Sequence, residues 1–307
     1  MDVAELSGIV LTLLGLVGIG WLLRVFGVLA AEDARPMHAV IIYAGLPALI
    51  FQAVHGAELS PELGLVAAVA WVVFALTAAL AWGTARILRL PPRVAGGFIL
   101  AASLGNTGYI GYPVSQALLG DEALVRAIFY DVFGTVGALL LVGIAVAQHY
   151  GSPGGRGAPR VNRAREAIRF PGVIALAVAL VLRPLPIPGI VSSGLDSLAM
   201  LVVPLIMLSV GLTLRVRSIG RYPAALGSLG VIRLLVAPLL AVGAGTMLLD
   251  DPATIRLVAL QAGMPAMMLS IVIGARFGLD VEFLTAAVVL TTAAAIVSIP
   301  LVQVLIG

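Results

Sequence analysis

Ten long, mostly apolar runs decide what this chain can fold into: residues 7–29, 36–55, 62–87, 94–119, 122–148, 169–188, 192–214, 221–248, 253–277 and 282–306. A helix needs about 20 such residues to cross the hydrocarbon of a bilayer. The runs lack the strict apolar/polar alternation of barrel strands, so an all-α integral membrane protein is expected. Composition agrees. Only 11% of the 307 residues are charged and 61% are hydrophobic, against about 25% charged in an ordinary soluble domain. A soluble enzyme, a nucleic-acid binder and a disordered scaffold are therefore excluded as readings of the whole chain. With no cysteine there is no disulfide framework, thiol nucleophile or cysteine–zinc site. All 18 basic residues are arginine, which reads as the codon bias of a GC-rich, prokaryotic genome.

The arginines also report orientation. Arg233 falls inside a run. Of the other seventeen, Arg126, Arg183 and Arg256 lie in loops on one side, and fourteen, from Arg24 to Arg276, lie on the other. Basic loops face the cytoplasm. Ten spans are therefore expected in the cell (inner) membrane, with both termini periplasmic or extracellular and the Gly-, Pro- and Arg-rich segment 151–168 as a cytoplasmic linker. The start, Met1-Asp2-Val3-Ala4-Glu5, lacks the basic residues of a secretory signal and reads as a mature terminus entering the first span.

Two halves, residues 1–150 and 169–307, repeat at an offset of 157. Leu46-Pro47-Ala48-Leu49-Ile50-Phe51 in span two answers Val203-Pro204-Leu205-Ile206-Met207-Leu208 in span seven. Gly105-Asn106-Thr107-Gly108 with Gly111 and Pro113 in span four answers Ala262-Gly263-Met264-Pro265 in span nine. Five spans per half, an odd number, turn the second copy upside down, the inverted-repeat plan of secondary transporters. Gly and Pro leave backbone groups without intrahelical partners, which is tolerated at membrane depth only inside protein or along a wet cavity. If spans four and nine break and cross there, half-helix N-termini favour an anion and free carbonyls a cation.

These stretches, with Tyr109-Ile110-Gly111-Tyr112-Pro113 and Ala275-Arg276-Phe277-Gly278-Leu279-Asp280, resemble the auxin efflux carrier family, which includes the plant auxin carriers and bacterial permeases for malate- or malonate-like acids. The resemblance covers essentially the whole chain. It implies ten helices in two inverted five-helix repeats, like bile-acid symporters and sodium/proton antiporters. It also implies a core domain, holding crossed helices four and nine, that moves elevator-fashion against a scaffold domain. It implies uniport or ion-coupled transport of a small organic anion. One position departs: Leu269 stands where bacterial members often carry an asparagine, and Ser270 is a partial substitute at most.

The expected substrate-lining residues are Pro47, Gln52, Asn106, Thr107, Gly108, Tyr109, Pro113, Gln261, Gly263, Met264 and Pro265. Asn106 and Thr107 are either crossover ligands or a helix–helix hydrogen bond. Asp131 in span five is a candidate for proton coupling or gating. Arg233 either snorkels to the cytoplasmic face or points inward, attracting a carboxylate or pairing with Asp131. No metal site and no cofactor is expected. Coupling to protons or sodium, a homodimer and the substrate are left open. An antiporter would want paired acids at the crossing, yet none lies between Val94 and Leu119 or between Ala253 and Phe277. An intramembrane protease is disfavoured by isolated histidines and the absence of lysine. A sensor that keeps a transporter fold without flux is the alternative from another class.

Overall fold

Helices dominate the described residues, and their order follows the apolar runs. The structure, a computed structural model, describes residues 3–151, 169–213 and 221–306. Linker residues 152–168, with their four arginines, and Arg215 and Arg217 lie outside the described residues. In chain order the helices are α1 (Val3–Val25), α2 (Ala31–His55), α3 (Glu62–Ile87), the pair α4a (Pro92–Ser103) and α4b (Gly111–Leu119), α5 (Asp121–Gly151), α6 (Pro171–Leu182), α7 (Gly189–Thr213), α8 (Pro223–Leu248), the pair α9a (Pro252–Ala262) and α9b (Leu269–Phe277), and α10 (Val281–Ile306). Among the described residues six of them, α2, α3, α5, α7, α8 and α10, are long and apolar enough to cross a membrane.

Some boundaries differ from the apolar runs, each for a local reason. Helix α1 stops at Val25, because Gly27 adopts φ +70° and turns the chain. Helix α6 ends at Leu182 instead of 188, because Pro184, Pro186 and Pro188 cannot continue it. At 12 residues it is about 18 Å long.

Helix α2 loosens into a π-helical turn at Ile41–Gly45, and α8 does so at Ile232–Val236. Each turn is followed by a proline, Pro47 or Pro238, which offers no N–H to the residue four before it. Helix α5 carries two such turns, Tyr130–Val136 and Leu139–Gly143, without a proline. Among the described residues the buried charged side chains are Asp131 and Arg233, and both sit in π-helical turns. Such turns are frequent at functional positions.

Two groups of helices form. Helix α1 packs on α7, and α2 packs on α6 and α7. Gly20 of α1 lies against the Leu208 carbonyl and Gly211 of α7 against the Val17 carbonyl, so neither position has room for a Cβ. The second group joins α3, α4a, α5, α8, α9b and α10 around Phe98, Leu100, Leu139, Leu229 and Phe283. Within it every residue of α4a from Val94 to Ser103 is buried. Trp21, Ile87, Ile190, Leu239, Met247 and Val304 stand on the outer surface of the molecule. An apolar surface on that scale suits lipid.

Candidate functional site

Helices α4 and α9 both stop in the interior. Between α4a and α4b run Leu104 to Ile110, and between α9a and α9b run Gly263 to Met268. The two breaks pair with each other antiparallel, at Gly105 and Ala266. Asn106 N donates to the Pro265 carbonyl at 2.7 Å, and Met267 N donates to the Leu104 carbonyl at 2.9 Å. Ala266 N donates to Thr291 Oγ1 of α10 at 3.0 Å. Backbone groups freed by Gly and Pro thus find partners in the opposite break and in α10, as an interior without water favours. Pro113 lies in the first turn of α4b, where a missing N–H costs nothing, and Pro265 lies in the break itself.

The side chains of the first break are polar and buried. Asn106 is 1% exposed, and neither its Nδ2 nor its Oδ1 has a hydrogen-bond partner. Thr107 Oγ1 donates to Asp131 Oδ1 at 2.5 Å and Tyr112 OH donates to Asp131 Oδ2 at 2.7 Å. Gly108 permits this: a Cβ there would stand 3.0 Å from Asp131 Oδ2. Asp131 is therefore bound into the break beside the start of α4b. From sequence Tyr112 reads as cavity lining or plain packing, and neither reading carries a signal of its bond to Asp131.

Arg233 takes the inward one of its two expected placements, though without the carboxylate pairing. It does not snorkel; it is 2% exposed. Nη1 donates to the carbonyls of Ser103 (3.0 Å) and Ala102 (3.5 Å), and Nη2 donates to the Ala262 carbonyl. It makes no ion pair with Asp131; the acceptors are the last carbonyls of α4a and α9a. Backbone acceptors carry no residue identity, so this arrangement had no sequence signal.

The second break is apolar. Met264, Ala266 and Met267 are buried around Gly263 and Pro265. Ser270 Oγ donates to the Met267 carbonyl at 2.5 Å, so its proton is committed to the backbone and does not replace the amide that Leu269 lacks. Gln261 is fully buried on α9a, donates from Nε2 to Ser115 Oγ of α4b at 3.3 Å, and leaves Oε1 without a partner. Gly111 makes room for it, since a Cβ there would meet Gln261 Oε1.

Three expected residues lie elsewhere. Gln52 faces α7, donating to Asp196 Oδ1 at 2.5 Å and to the Ser192 carbonyl at 3.2 Å. Pro47 follows the π-helical turn of α2. Tyr109 tilts toward His38 of α2, with ring centroids 6.3 Å apart, and His38 Nε2 lies 3.0 Å from Ser209 Oγ of α7. Gln52 lines a cavity of about 920 Å³ between α2 and α7 on one side and α4b and α5 on the other. Glu58, Glu62, Asp121, Glu122 and Asp196 bring carboxylates to it and Arg126 a guanidinium. A smaller apolar cavity of about 80 Å³ separates Ile110 and Pro265 of the crossing from Val17 of α1 and Met207 of α7. Among the described residues no cluster of His, Asp and Glu is close enough to hold a metal ion.

The family described as membrane transport protein matches residues 6–150 and 161–303. An "Uncharacterized transporter" of Methanothermobacter thermautotrophicus is 34% identical over 295 residues, covering 95% of each chain. A "Putative malonate transporter" of Rhizobium meliloti is 27% identical over 303 residues, covering 94% of this chain and 92% of that one.

Proposed function

The chain belongs to the membrane transport protein family, that of the auxin efflux carriers, and we propose that it is a secondary transporter of a small organic anion such as a short dicarboxylate. In this reading the ten runs are ten crossings. Repeat 1 is residues 1–150 and repeat 2 is 169–307, joined by a cytoplasmic linker, with both termini outside. Helices α1, α2, α6 and α7 are the scaffold. The other helices are the core that moves elevator-fashion, and the 920 Å³ cavity is the outer vestibule of an outward-open state. The backbone pairing of the two breaks supports their moving as one piece, and the apolar cavity beside Pro265 suits a sliding boundary.

The observation that carries the proposal is Asn106. A buried amide without partners costs about 1–3 kcal/mol, a cost that a ligand offsets. A carboxylate seated at the crossing accepts from Asn106 Nδ2 and faces the positive ends of α4b and α9b. Asp131 is the group this reading makes responsible for proton coupling. No enzymatic step is involved.

The test is counterflow in proteoliposomes with labelled malonate and a panel of C2–C5 mono- and dicarboxylates, alongside thermal shifts with the same anions. Saturable counterflow that Asn106→Ala abolishes is expected. Binding without flux would make the protein a sensor, and counterflow unchanged in Asn106→Ala would remove that residue from the site.

A further inference from the structure

Half-helices α4a and α9a both run toward the crossing and end there, at Ser103 and Ala262. A helix C-terminus leaves its last carbonyls without donors and carries about half a negative charge. Two such ends side by side therefore present about one unit of negative charge, lined by oxygen atoms. In transporters with broken helices, this is where a coupling cation is coordinated.

Here the protein fills that position itself. The Arg233 guanidinium donates to Ala102, Ser103 and Ala262, three carbonyl oxygens from two different helix ends. It has no carboxylate partner among the described residues, and its Nε is unpaired, so the helix ends are what hold it. The neighbouring backbone is shaped for the group: at Gly105 a Cβ would stand 3.3 Å from Nη2. The arginine sits in the π-helical turn of α8 and is buried in the interior.

We infer that Arg233 is a tethered counter-cation that permanently occupies the cation position of the crossing, so that the transport cycle needs no sodium or other free alkali cation. This deepens the carrier reading and rests on it. A cation fixed to the chain travels with the core in both directions and cannot be released, so no alkali gradient can be drawn on through this position.

The decisive measurement is thermal stability of the purified full chain in sodium chloride against N-methyl-D-glucamine chloride at equal ionic strength. It needs no knowledge of the substrate, so its failure and that of the carrier reading are separable. A saturating bound ion would raise Tm by a few degrees. The wild type is expected to show no sodium-specific rise, and malonate counterflow is expected to stay within about twofold when sodium is removed from both sides. A saturable sodium-specific rise, or counterflow that collapses about tenfold or more without sodium, overturns the inference.

Arg233→Ala supplies the complementary result. Opened to small cations, the position is expected to acquire a stabilisation by sodium or low-millimolar guanidinium that N-methyl-D-glucamine does not give. Equal destabilisation in every salt would mean that Arg233 is only a structural brace, against the inference. If that variant does not purify folded, the wild-type titration decides alone.

Discussion

The two breaks at the crossing pair with each other yet are built from different chemistry. The first, around Asn106, holds an unpaired amide, a threonine and a buried carboxyl group bound by Thr107 and Tyr112. The second, around Pro265, is made of Gly, Met, Pro and Ala, and the side chains that hydrogen-bond its backbone are two hydroxyls, Thr291 on Ala266 N and Ser270 on the Met267 carbonyl. Two breaks that pair through their backbones thus differ in their side chains, and the buried polar ones are concentrated in the first. An anion bound here is expected to be read by side chains from the first half and by a bare helix end from the second.

The sharpest way to break this comparison is Asn106→Ala. Anion affinity should fall at least about tenfold, which is about 1.4 kcal/mol or more, as read by the anion-dependent thermal shift. An unchanged shift would mean that the apolar break does the binding. Asp131→Asn should come next. It replaces one of two acceptor oxygens by a donor facing a hydroxyl, so stability should fall by about 1–3 kcal/mol, seen as a lower Tm. Proton-dependent transport should disappear with it; full retention would remove Asp131 from coupling.

A smaller effect tests the start of the second pair. Asp251 accepts from Ala253 N and Thr254 N at 3.1 Å and from Thr254 Oγ1 at 2.7 Å, whereas α4a begins at Pro91-Pro92 without a side-chain cap. The Thr254 hydroxyl, helped by the two N–H groups, holds the Asp251 carboxyl below its usual range. A carboxylate with a depressed pKa stabilises the fold at pH values above its unfolded value and loses that contribution as pH falls through the folded one. Asp251→Ala should cost about 1 kcal/mol near neutrality, and its Tm difference from wild type should shrink below about pH 4. A constant difference would assign the cap another role. Leu269→Asn should have the smallest effect, a gain of a few-fold in anion affinity, about 0.5–1 kcal/mol, as the second break acquires an amide. A loss instead would show that the apolar lining is itself required.

Much of this arrangement was legible in the sequence because its causes are local. Gly105, Gly108, Pro113, Gly263 and Pro265 cluster within two apolar runs, and such clusters of helix-weakening residues place the two interruptions. Asn106 and Asp131 were visible because a polar group inside a long apolar run has little else to explain it. What could not be read depends on partners distant in the chain. Arg233 meets carbonyls 130 and 29 residues away, Tyr112 becomes an anchor only because α5 passes it, and Gln52 is drawn to Asp196, away from the crossing. Ser270 illustrates the converse, a residue of suitable type whose proton goes to the adjacent backbone.

The glycine contact between α1 and α7 bears on how the protein is made. Arg24 reaches the Leu212 carbonyl across 188 residues of sequence, and Gly20 and Gly211 bring the same two helices into backbone contact. Translation at about 5–20 residues per second leaves α1 without that neighbour for roughly 10–40 s after it emerges from the ribosome. During that interval the first helix must be held by lipid or by the insertion machinery. A polar substitution on its α7-facing side should therefore lower the yield of inserted protein before it alters the activity of the molecules that mature.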